Sequence, residues 1–380
     1  MMTPFRGLRD ILRELASQPE DLEVLPAVGG AVQDLDRPDF EEREDQALGG
    51  GERVFDTVFE RASAGDRPPL YRAVPPLSRE ENHLFRYFLD GSFRSYFLGT
   101  LMEHERETPV HFAQVGGCVL HRQDDGSVRR EALEVHYLLM VGKLRVSQRL
   151  WQQLEQMTAA QGIQLVDLTE EDIITRVLSD FDLRNKAAGK VRSQMHKLEG
   201  EMIGAALLRL SPESWLIVDG SLLFHPAKTY IGSGGEIKPV IGVAKNFRKD
   251  PQFVYGRGAR AERRSIFRLL SELEVEHRTA AFAIDSGRAV FWYVRLRQQK
   301  QLDYPLMGVV KVELGNPTGA AVPSDLLDTV SRALVAERSV TPHGQDHRWH
   351  AHLYPIFLAE RAVKEGLLGQ DVVQQYLKWR

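Results

Sequence analysis

Two stretches decide the fold of this chain: residues 85–92, which read Phe85-Arg86-Tyr87-Phe88-Leu89-Asp90-Gly91-Ser92, and residues 215–221, which read Trp215-Leu216-Ile217-Val218-Asp219-Gly220-Ser221. Each is an apolar, aromatic-rich run that ends in Asp-Gly-Ser. Such a run predicts a buried strand that stops at a carboxylate, after which the chain turns sharply. Two carboxylates at the ends of two central strands can meet and bind a divalent metal ion for phosphodiester chemistry. The alternative is that Asp-Gly merely closes two hairpins, because this dipeptide is a common turn signal.

The composition is that of a globular, slightly acidic chain. Its 380 residues are 43% hydrophobic, enough for one large domain or two ordinary ones, and its net charge is -4. Any nucleic-acid contact must therefore come from a local basic patch. Cys118 is the only cysteine, which excludes a disulfide framework and a cysteine-based zinc site. The sequence shows no signal peptide and no apolar run of about 18 residues, so we expect a cytoplasmic protein without membrane contact.

The pattern of apolar residues predicts a mixed α/β chain in two parts. Residues 1–80 are expected to form an N-terminal extension, with helices over 7–18 and 52–62 and a linker over 28–51. Residues 81–380 are expected to form one domain with a helical insertion at about 144–190. Its predicted strands are 84–90, 93–98, 110–122, 131–143, 163–168, 214–219, 238–245, 279–285, 289–297 and 306–314. Its predicted helices are 147–161, 170–210, 259–275, 323–337 and 355–378.

Three local signals refine this pattern. Gly116-Gly117 is expected to interrupt its strand, and Asp124-Asp125-Gly126 to turn the chain into the next one. Ser147 is expected to cap the helix that follows it.

The acids then predict where a site would form. If Asp90 ends the first central strand and Asp219 ends a strand beside it, the order is that of an RNase H-like sheet, flanked by helices. In such a sheet, acids of strand one, the first helix and strand four converge on two metal ions. Glu201 and Glu199 border the apolar face of the predicted helix, and Glu201 is the first choice. The alternative is that both are solvated helix acids.

Several motifs resemble those of the NurA nucleases in order and spacing. Residues 88–92 are similar to the first motif of that family, and an acidic helix followed by residues 216–222 is similar to the second and third. Val240-Ile241-Gly242-Val243-Ala244-Lys245 resembles the Gly-Val-Val-Lys segment. Residues 291–296 resemble the later Tyr-Val-Arg strand, and residues 353–360 the C-terminal Tyr-Pro-x-x-Leu element.

The resemblance implies an RNase H-like DNA nuclease that depends on Mn²⁺ or Mg²⁺. Two such ions, about 3.5–4 Å apart, can activate a water and stabilise the leaving oxygen. The family also implies a homodimer that works with HerA, a hexameric ATP-driven DNA translocase. Its last helix usually offers a histidine, where this chain has Arg361 and Ala362; Glu360 or His352 could substitute. The expected catalytic and metal-binding residues are Asp90, Glu199, Glu201, Asp219, Lys245, His352 and Glu360.

Residues 245–268 form the basic patch that nucleic-acid binding requires, with eight basic residues against two acidic ones. Phe247, Phe253 and Tyr255 are interleaved with the charges, and aromatic rings can stack on single-stranded bases. The alternative is a solvated helix face with the aromatic rings in the core. The expected DNA contacts are Lys245, Arg248, Lys249, Arg257, Arg260, Arg263 and Arg264, together with Tyr293 of the Tyr-Val-Arg strand.

Three functional hypotheses remain open from the sequence. The first is a metal-dependent DNA nuclease. The second is a degraded, nuclease-like subunit that docks on a translocase and guides DNA, and the third is an RNase H-like enzyme that acts on RNA or on an RNA–DNA hybrid. A cluster of His343, His347, His350 and His352 is expected to form a mobile loop near the site rather than a zinc site. No Gly-x-x-x-x-Gly-Lys-Ser/Thr motif is present, so a motor would be another protein.

Overall fold

A computed structural model gives the fold of most of the chain. It describes residues 4–18, 22–27, 32–33, 54–55, 59–62, 68–78, 83–103, 106–169, 180–222, 231–232, 234–247, 252–255, 262–284, 287–298, 305–339 and 351–376.

Within these residues the strands and helices have the following bounds. The strands are β1 (Leu22–Pro26), β2 (Val32–Gln33), β3 (Val54–Phe55), β4 (Glu60–Arg61), β5 (Tyr71–Ala73), β6 (Phe85–Glu103), β7 (Arg106–Arg122), β8 (Val128–Val141), β9 (Gln164–Asp167), β10 (Trp215–Asp219), β11 (Val240–Ala244), β12 (Gln252–Tyr255), β13 (Glu262–Ser265), β14 (His277–Thr279), β15 (Phe282–Ile284), β16 (Ala289–Arg295), β17 (Val309–Gly315) and β18 (Val322–Pro323). The helices are α1 (Pro4–Ala16), α2 (Gln148–Ala160), α3 (Asp180–Leu207), α4 (Ile266–Ser271), α5 (Ser324–Ala336), α6 (Tyr354–Gly366) and α7 (Gln370–Tyr376).

A large mixed sheet forms the centre of the molecule. Its strand order is β5-β14-β16-β17-β11-β10-β6-β7-β8-β9, with β1, β2 and β15 paired at its sides. Strands β6, β7 and β8 form an antiparallel meander, and β10 then joins β6 in parallel, as predicted for a strand placed beside the first. Strand β11 runs parallel to β10 and antiparallel to β17. The fold is therefore a mixed α/β sheet flanked by helices.

Helices cover the two faces of the central strands. One hydrophobic core lies between the sheet and helices α5 and α6, and it includes Phe88, Ile217 and Val243. A second core lies between the opposite face and α3, and it includes Leu89 and Val218. This alternation follows from the period of two along a strand, which sends successive side chains to opposite faces.

Strand β6 runs without a break through Asp90-Gly91-Ser92, so the turn predicted between 84–90 and 93–98 is wrong. These three residues pair in register with Cys118, Gly117 and Gly116 of β7, which is equally continuous. The expected interruption at Gly116-Gly117 is therefore also wrong. The ladder of backbone hydrogen bonds between β6 and β7 outweighs the local turn preference of Asp-Gly.

The two glycines of β7 instead allow close packing on both faces. A Cβ atom at Gly117 would stand 2.5 Å from Sδ of Met202 in α3. A Cβ at Gly116 would stand 3.0 Å from Cγ1 of Val363 in α6. Because neighbouring residues face opposite sides, this pair brings one helix close to each face of the sheet.

Other predicted elements have mixed outcomes. The hairpin turn is confirmed, since Ser127 N donates to Asp125 Oδ1 at 2.9 Å. The cap is confirmed too, since the Ser147 hydroxyl accepts from Leu150 N at 3.2 Å. The helix predicted over 52–62 is wrong, because its described parts are strands β3 and β4. The helix predicted over 259–275 is confined to α4, because Glu262–Ser265 pairs with β12 instead. The last predicted helix is two helices, α6 and α7.

The described parts of residues 1–80 pack onto the larger domain. Strands β1 and β2 pair with the far half of β6, and β5 pairs with β14. Helix α1 shares a third core with α2 over that far half of β6 and β7.

Residues 170–179 and most of 28–51 lie outside the described residues. None of the helices in the described parts is both long and apolar enough to cross a lipid bilayer.

Candidate active site

Asp90 and Asp219 lie side by side on neighbouring strands. Val218 pairs with Leu89 in the parallel β10–β6 ladder, and the next residue of each strand is the aspartate. The residue two positions before each aspartate belongs to the core beneath α5 and α6, so both carboxylates point to that face. Asp90 is only 6% exposed. Burial first, and then the charge of Asp219, raise the pKa of Asp90 well above its usual range.

Lys245 supplies a positive charge to this pair. It follows β11, the strand beside β10, and its Nζ lies 2.8 Å from Oδ2 of Asp219. Burial alone would lower the pKa of Lys245, but the carboxylates of Asp219, Asp90 and Glu360 outweigh burial and raise it. The lysine therefore stays an ammonium ion at neutral pH. The structure thus brings Lys245 to Asp219, as the sequence predicts.

Glu199, and not Glu201, is the acid of α3 that lines the same cavity as the aspartates. Glu199 is 2% exposed, and its Oε2 lies 3.0 Å from Nδ1 of His196. A Cβ atom at Gly91 would collide with the Glu199 carboxylate, so the glycine is what lets this side chain approach β6. Glu201 is exposed, because two residues of helix rotate a side chain by about 200°. The preference for Glu201 is therefore wrong.

Glu360 reaches the same region from α6, on the other face of the sheet. Its Oε1 lies 2.5 Å from Nζ of Lys364, one helical turn later. Burial would raise the pKa of Glu360, but Lys364, Lys245 and His352 outweigh burial and hold the pKa below its usual value. His352 precedes α6 and stacks on Phe357, with ring centroids 6.5 Å apart, outside the cavity lining. Of the two expected substitutes for the missing histidine, Glu360 lines the site and His352 does not.

Acidic and basic side chains together line one cavity of about 220 Å³ at the end of β10. The acids that line it are Asp90, Glu199, Asp219, Glu313 and Glu360. The basic residues are Arg192, His196, Lys245, Lys311 and Lys364. A cavity of this kind can accept both a cation, through the carboxylates, and the anionic oxygens of a phosphate, through the lysines.

The sequence motifs do not point to Arg192, His196 or Lys364 of the cavity. They also do not point to its two buried strand charges, Lys311 and Glu313. Both lie in β17, and the Glu313 side chain is fully buried. Nζ of Lys311 lies 2.6 Å from Oε1 of Glu313 and 4.8 Å from the centre of the Phe291 ring. The sequence did contain a signal, because these are two charges at alternate positions of a strand that is otherwise apolar. Burying unpaired charges is costly, so such a pattern indicates a paired or functional cluster.

The expected DNA contacts are only partly within the described residues. Arg248, Lys249, Arg257 and Arg260 lie outside them, as do the side chain of Arg263, that of Tyr255, and the residues His343, His347 and His350. Arg264 is half-buried and lies near Tyr71. Burial raises the pKa of Tyr71, and the charge of Arg264 opposes this larger effect.

The aromatic residues of this region belong to the core. Phe247 and Phe253 are buried in one apolar cluster, and Tyr293 is 2% exposed within it. The ring of Tyr293 lies 5.0 Å from that of Phe247 and 5.8 Å from that of Phe291. A ring enclosed in this way has no face for a nucleobase, so the expectation of a DNA contact at Tyr293 is wrong.

The donor set suits Mn²⁺ or Mg²⁺ by its chemistry, because these hard ions prefer carboxylate oxygens. The raised pKa of Asp90 reflects burial and the neighbouring charges of Asp219, Glu199 and Glu360, and a divalent cation would offset both effects. Among the described residues, no three His, Cys, Asp or Glu side chains stand close enough to ligate one ion. The residues therefore fit the ion in kind, and ligation requires the carboxylates to rotate towards one another.

Comparison with known proteins adds little to this geometry. No family model matches the chain, and no curated protein sequence matches it. One solved structure with partial similarity is the Argonaute of Marinitoga piezophila in complex with a 5′ OH guide RNA. The identity is 11% and the TM-score 0.27, over 75% of this chain and 30% of that one. A TM-score of this size is too low to assign a fold or a function.

Proposed function

We propose that this protein is a divalent-metal-dependent DNA nuclease with an RNase H-like core. One observation carries the proposal: Asp90, Asp219 and Glu199, from two adjacent parallel strands and one helix, line the same cavity. The central order β8-β7-β6-β10-β11 supports it, because this is the order expected of an RNase H-like sheet. The motifs that resemble the NurA nucleases also support it.

The carboxylates would hold the metal ions, and the lysines would hold the substrate. Asp90, Asp219, Glu199 and Glu360 would supply oxygen ligands to Mn²⁺ or Mg²⁺. Bound ions would lower the pKa of a water and offset charge on the leaving oxygen. Lys245 would donate a hydrogen bond to a non-bridging phosphate oxygen, because its ammonium lies at Asp219 and faces the cavity. The phosphodiester would thus be oriented between Lys245 and the carboxylates.

The partners are proposed from the NurA resemblance alone. They are DNA, a second copy of this chain and a HerA-like hexameric translocase, with roles in DNA end processing, repair or defence. The expectation of two metal ions has the same origin.

A cleavage assay with matched variants tests the proposal. Labelled linear duplex, single-stranded DNA and RNA are incubated with the protein in Mn²⁺, Mg²⁺ or EDTA. We expect metal-dependent cleavage of DNA that is lost in Glu199→Gln and kept in Glu201→Gln. The two glutamates lie two residues apart on one helix, so the exposed one controls for loss of a negative charge. Wild-type cleavage by both variants would mean that the catalytic centre lies elsewhere.

A second candidate function is a subunit that guides DNA on a motor without cutting it. Arg361 and Ala362 at the place of the family's histidine favour it, and so does the lack of a preformed three-residue ligand set among the described residues. Absence of cleavage by the protein alone and with the translocase, alongside retained DNA binding, would select this function.

A further inference from the structure

The turn after Asp219 is held down on the sheet by residues from two other strands. Gly220 N donates to Val243 O of β11 at 2.9 Å, and the turn then crosses β11 above Gly242. A Cβ at Gly242 would stand 2.7 Å from Cγ of Leu222 and 2.8 Å from O of Gly220. Glycine at position 242 therefore leaves the room that lets the turn pass this close to β11.

Glu313 holds the far side of the same turn. It pairs with Gly242 in the β11–β17 ladder, so its side chain rises next to the crossing point. Its Oε2 accepts from the Ser221 hydroxyl at 2.6 Å and from Leu222 N at 2.8 Å. Its Oε1 lies 2.6 Å from the Lys311 ammonium. One buried carboxylate thus joins two residues of the turn to a lysine of its own strand.

We infer that Glu313 is a positioning residue that fixes Asp219 for metal binding, and that Lys311 balances its charge. The inference rests on the proposed nuclease function and goes beyond it, because Glu313 itself is assigned no metal contact. The physical reason is that Asp219 is the last residue of β10, so the direction of its backbone depends on how the turn after it is held. Loss of a residue that orients a metal ligand from behind typically weakens metal affinity by about 10–100-fold. Glu313 would act on Asp219 in this way through Ser221 and Leu222 of the turn, without contacting the carboxylate itself.

The alternative is that Glu313 merely stabilises the fold, as another buried carboxylate does. Glu337 forms a buried pair with Arg122, with Oε2 2.7 Å from Nη2, and it does not line the cavity. A purely structural role predicts that Glu313→Gln and Glu337→Gln behave alike. A positioning role predicts that only Glu313→Gln changes the affinity for metal.

Direct Mn²⁺ binding separates these roles. The electron paramagnetic resonance signal of free Mn²⁺ gives a dissociation constant without reference to activity. We expect Glu313→Gln to raise this constant about tenfold, and Glu337→Gln to leave it within about twofold of wild type. Cleavage by Glu313→Gln should recover towards the wild-type rate at saturating Mn²⁺. A fold defect alone would lower the melting temperature and leave the Mn²⁺ constant of the folded fraction unchanged.

Ser221→Ala gives a second, milder test that removes only one of the two contacts to the turn. We expect a smaller rise in the Mn²⁺ dissociation constant than in Glu313→Gln, and a smaller fall in the melting temperature. If Glu313→Gln is too unstable to purify, Ser221→Ala decides the question. Wild-type constants in Ser221→Ala and in any folded Glu313→Gln protein would overturn the positioning role and leave the nuclease proposal standing. Failure of the wild type to bind Mn²⁺ or cut DNA would overturn both.

Discussion

The two Asp-Gly-Ser tripeptides have the same sequence and opposite structures. Asp90-Gly91-Ser92 lies inside a continuous strand, paired on both sides of the glycine with β7. Asp219-Gly220-Ser221 ends its strand, and Gly220 takes a φ of +92°, which favours glycine. The first glycine is needed because a helix carboxylate approaches it, and the second because the backbone turns there. One local motif therefore serves two physical purposes, which the surrounding strands decide.

The aspartates differ as clearly as the glycines. Asp90 is enclosed, and its neighbours in the cavity are mainly other carboxylates. Asp219 is partly exposed and has the Lys245 ammonium as its direct partner. The two acids are thus alike in proposed chemistry and unlike in what they do for stability.

The largest expected effect comes from replacing each aspartate by asparagine. Both Asp90→Asn and Asp219→Asn should lower the rate of metal-dependent cleavage roughly a thousandfold, because each removes several kcal/mol of charge stabilisation. Their effects on stability should differ. Asp219→Asn should lower the unfolding free energy by about 1–3 kcal/mol, because it removes the charged partner of Lys245. Asp90→Asn should not lower the unfolding free energy. Cleavage rates and urea denaturation of the same preparations measure both quantities.

This prediction fails if either variant cuts DNA at the wild-type rate, or if Asp90→Asn is the less stable of the two. Asp125→Asn, in the exposed hairpin turn, serves as the control for an aspartate far from the cavity.

The next effect comes from adding one methyl group to each glycine. Gly91→Ala should displace the Glu199 carboxylate, and a misplacement of about 1 Å can reduce a rate about 100-fold. Its stability should change little, because the colliding atoms are the end of a flexible side chain. Gly220→Ala meets no described atom within 4 Å, but the backbone strain at its φ should cost about 1–2 kcal/mol.

Melting temperatures and cleavage rates of the two alanine variants decide this point. A Gly91→Ala protein that is destabilised but fully active would contradict the role assigned to Glu199.

The contrast between the two motifs also shows what the sequence could and could not predict. The elements around both aspartates, their parallel pairing and the approach of Lys245 follow from apolar runs and motif order. The continuity of β6 could not be predicted in this way, because it depends on pairing with β7. Local turn propensity carries no information about such pairing. The choice between Glu199 and Glu201 depends on a helix rotation of about 200°. Glu313 and Lys311 come from a strand far along the chain, so no local motif links them to Asp219.

A third, pH-dependent effect follows from the raised pKa of Asp90. A carboxyl group whose pKa is higher in the folded than in the unfolded state favours folding while it is protonated. Its contribution to stability is therefore complete below its unfolded pKa and is lost as the pH rises through the folded pKa. Compared with wild type, Asp90→Asn should gain relative stability as the pH rises from about 4 towards neutrality. Melting curves between these limits, without added metal, measure the difference.

A stability difference between Asp90→Asn and wild type that stays constant with pH would contradict the raised pKa. Glu360→Gln offers the opposite sign, because the pKa of Glu360 is lowered in the folded protein. Its charged form stabilises the folded state above the unfolded pKa, and this contribution is lost as the pH falls.

The smallest effect concerns the two serines. Ser221→Ala removes a hydroxyl that donates to the buried Glu313 carboxylate at 2.6 Å, and it should cost about 1.5 kcal/mol of unfolding free energy. Ser92→Ala, at a half-buried position of the same cavity, should stay within about 0.5 kcal/mol of wild type. Urea denaturation can resolve a difference of this size when both variants are measured together. Equal values would mean that the turn after Asp219 is held by its backbone alone, as the strand at Asp90 is.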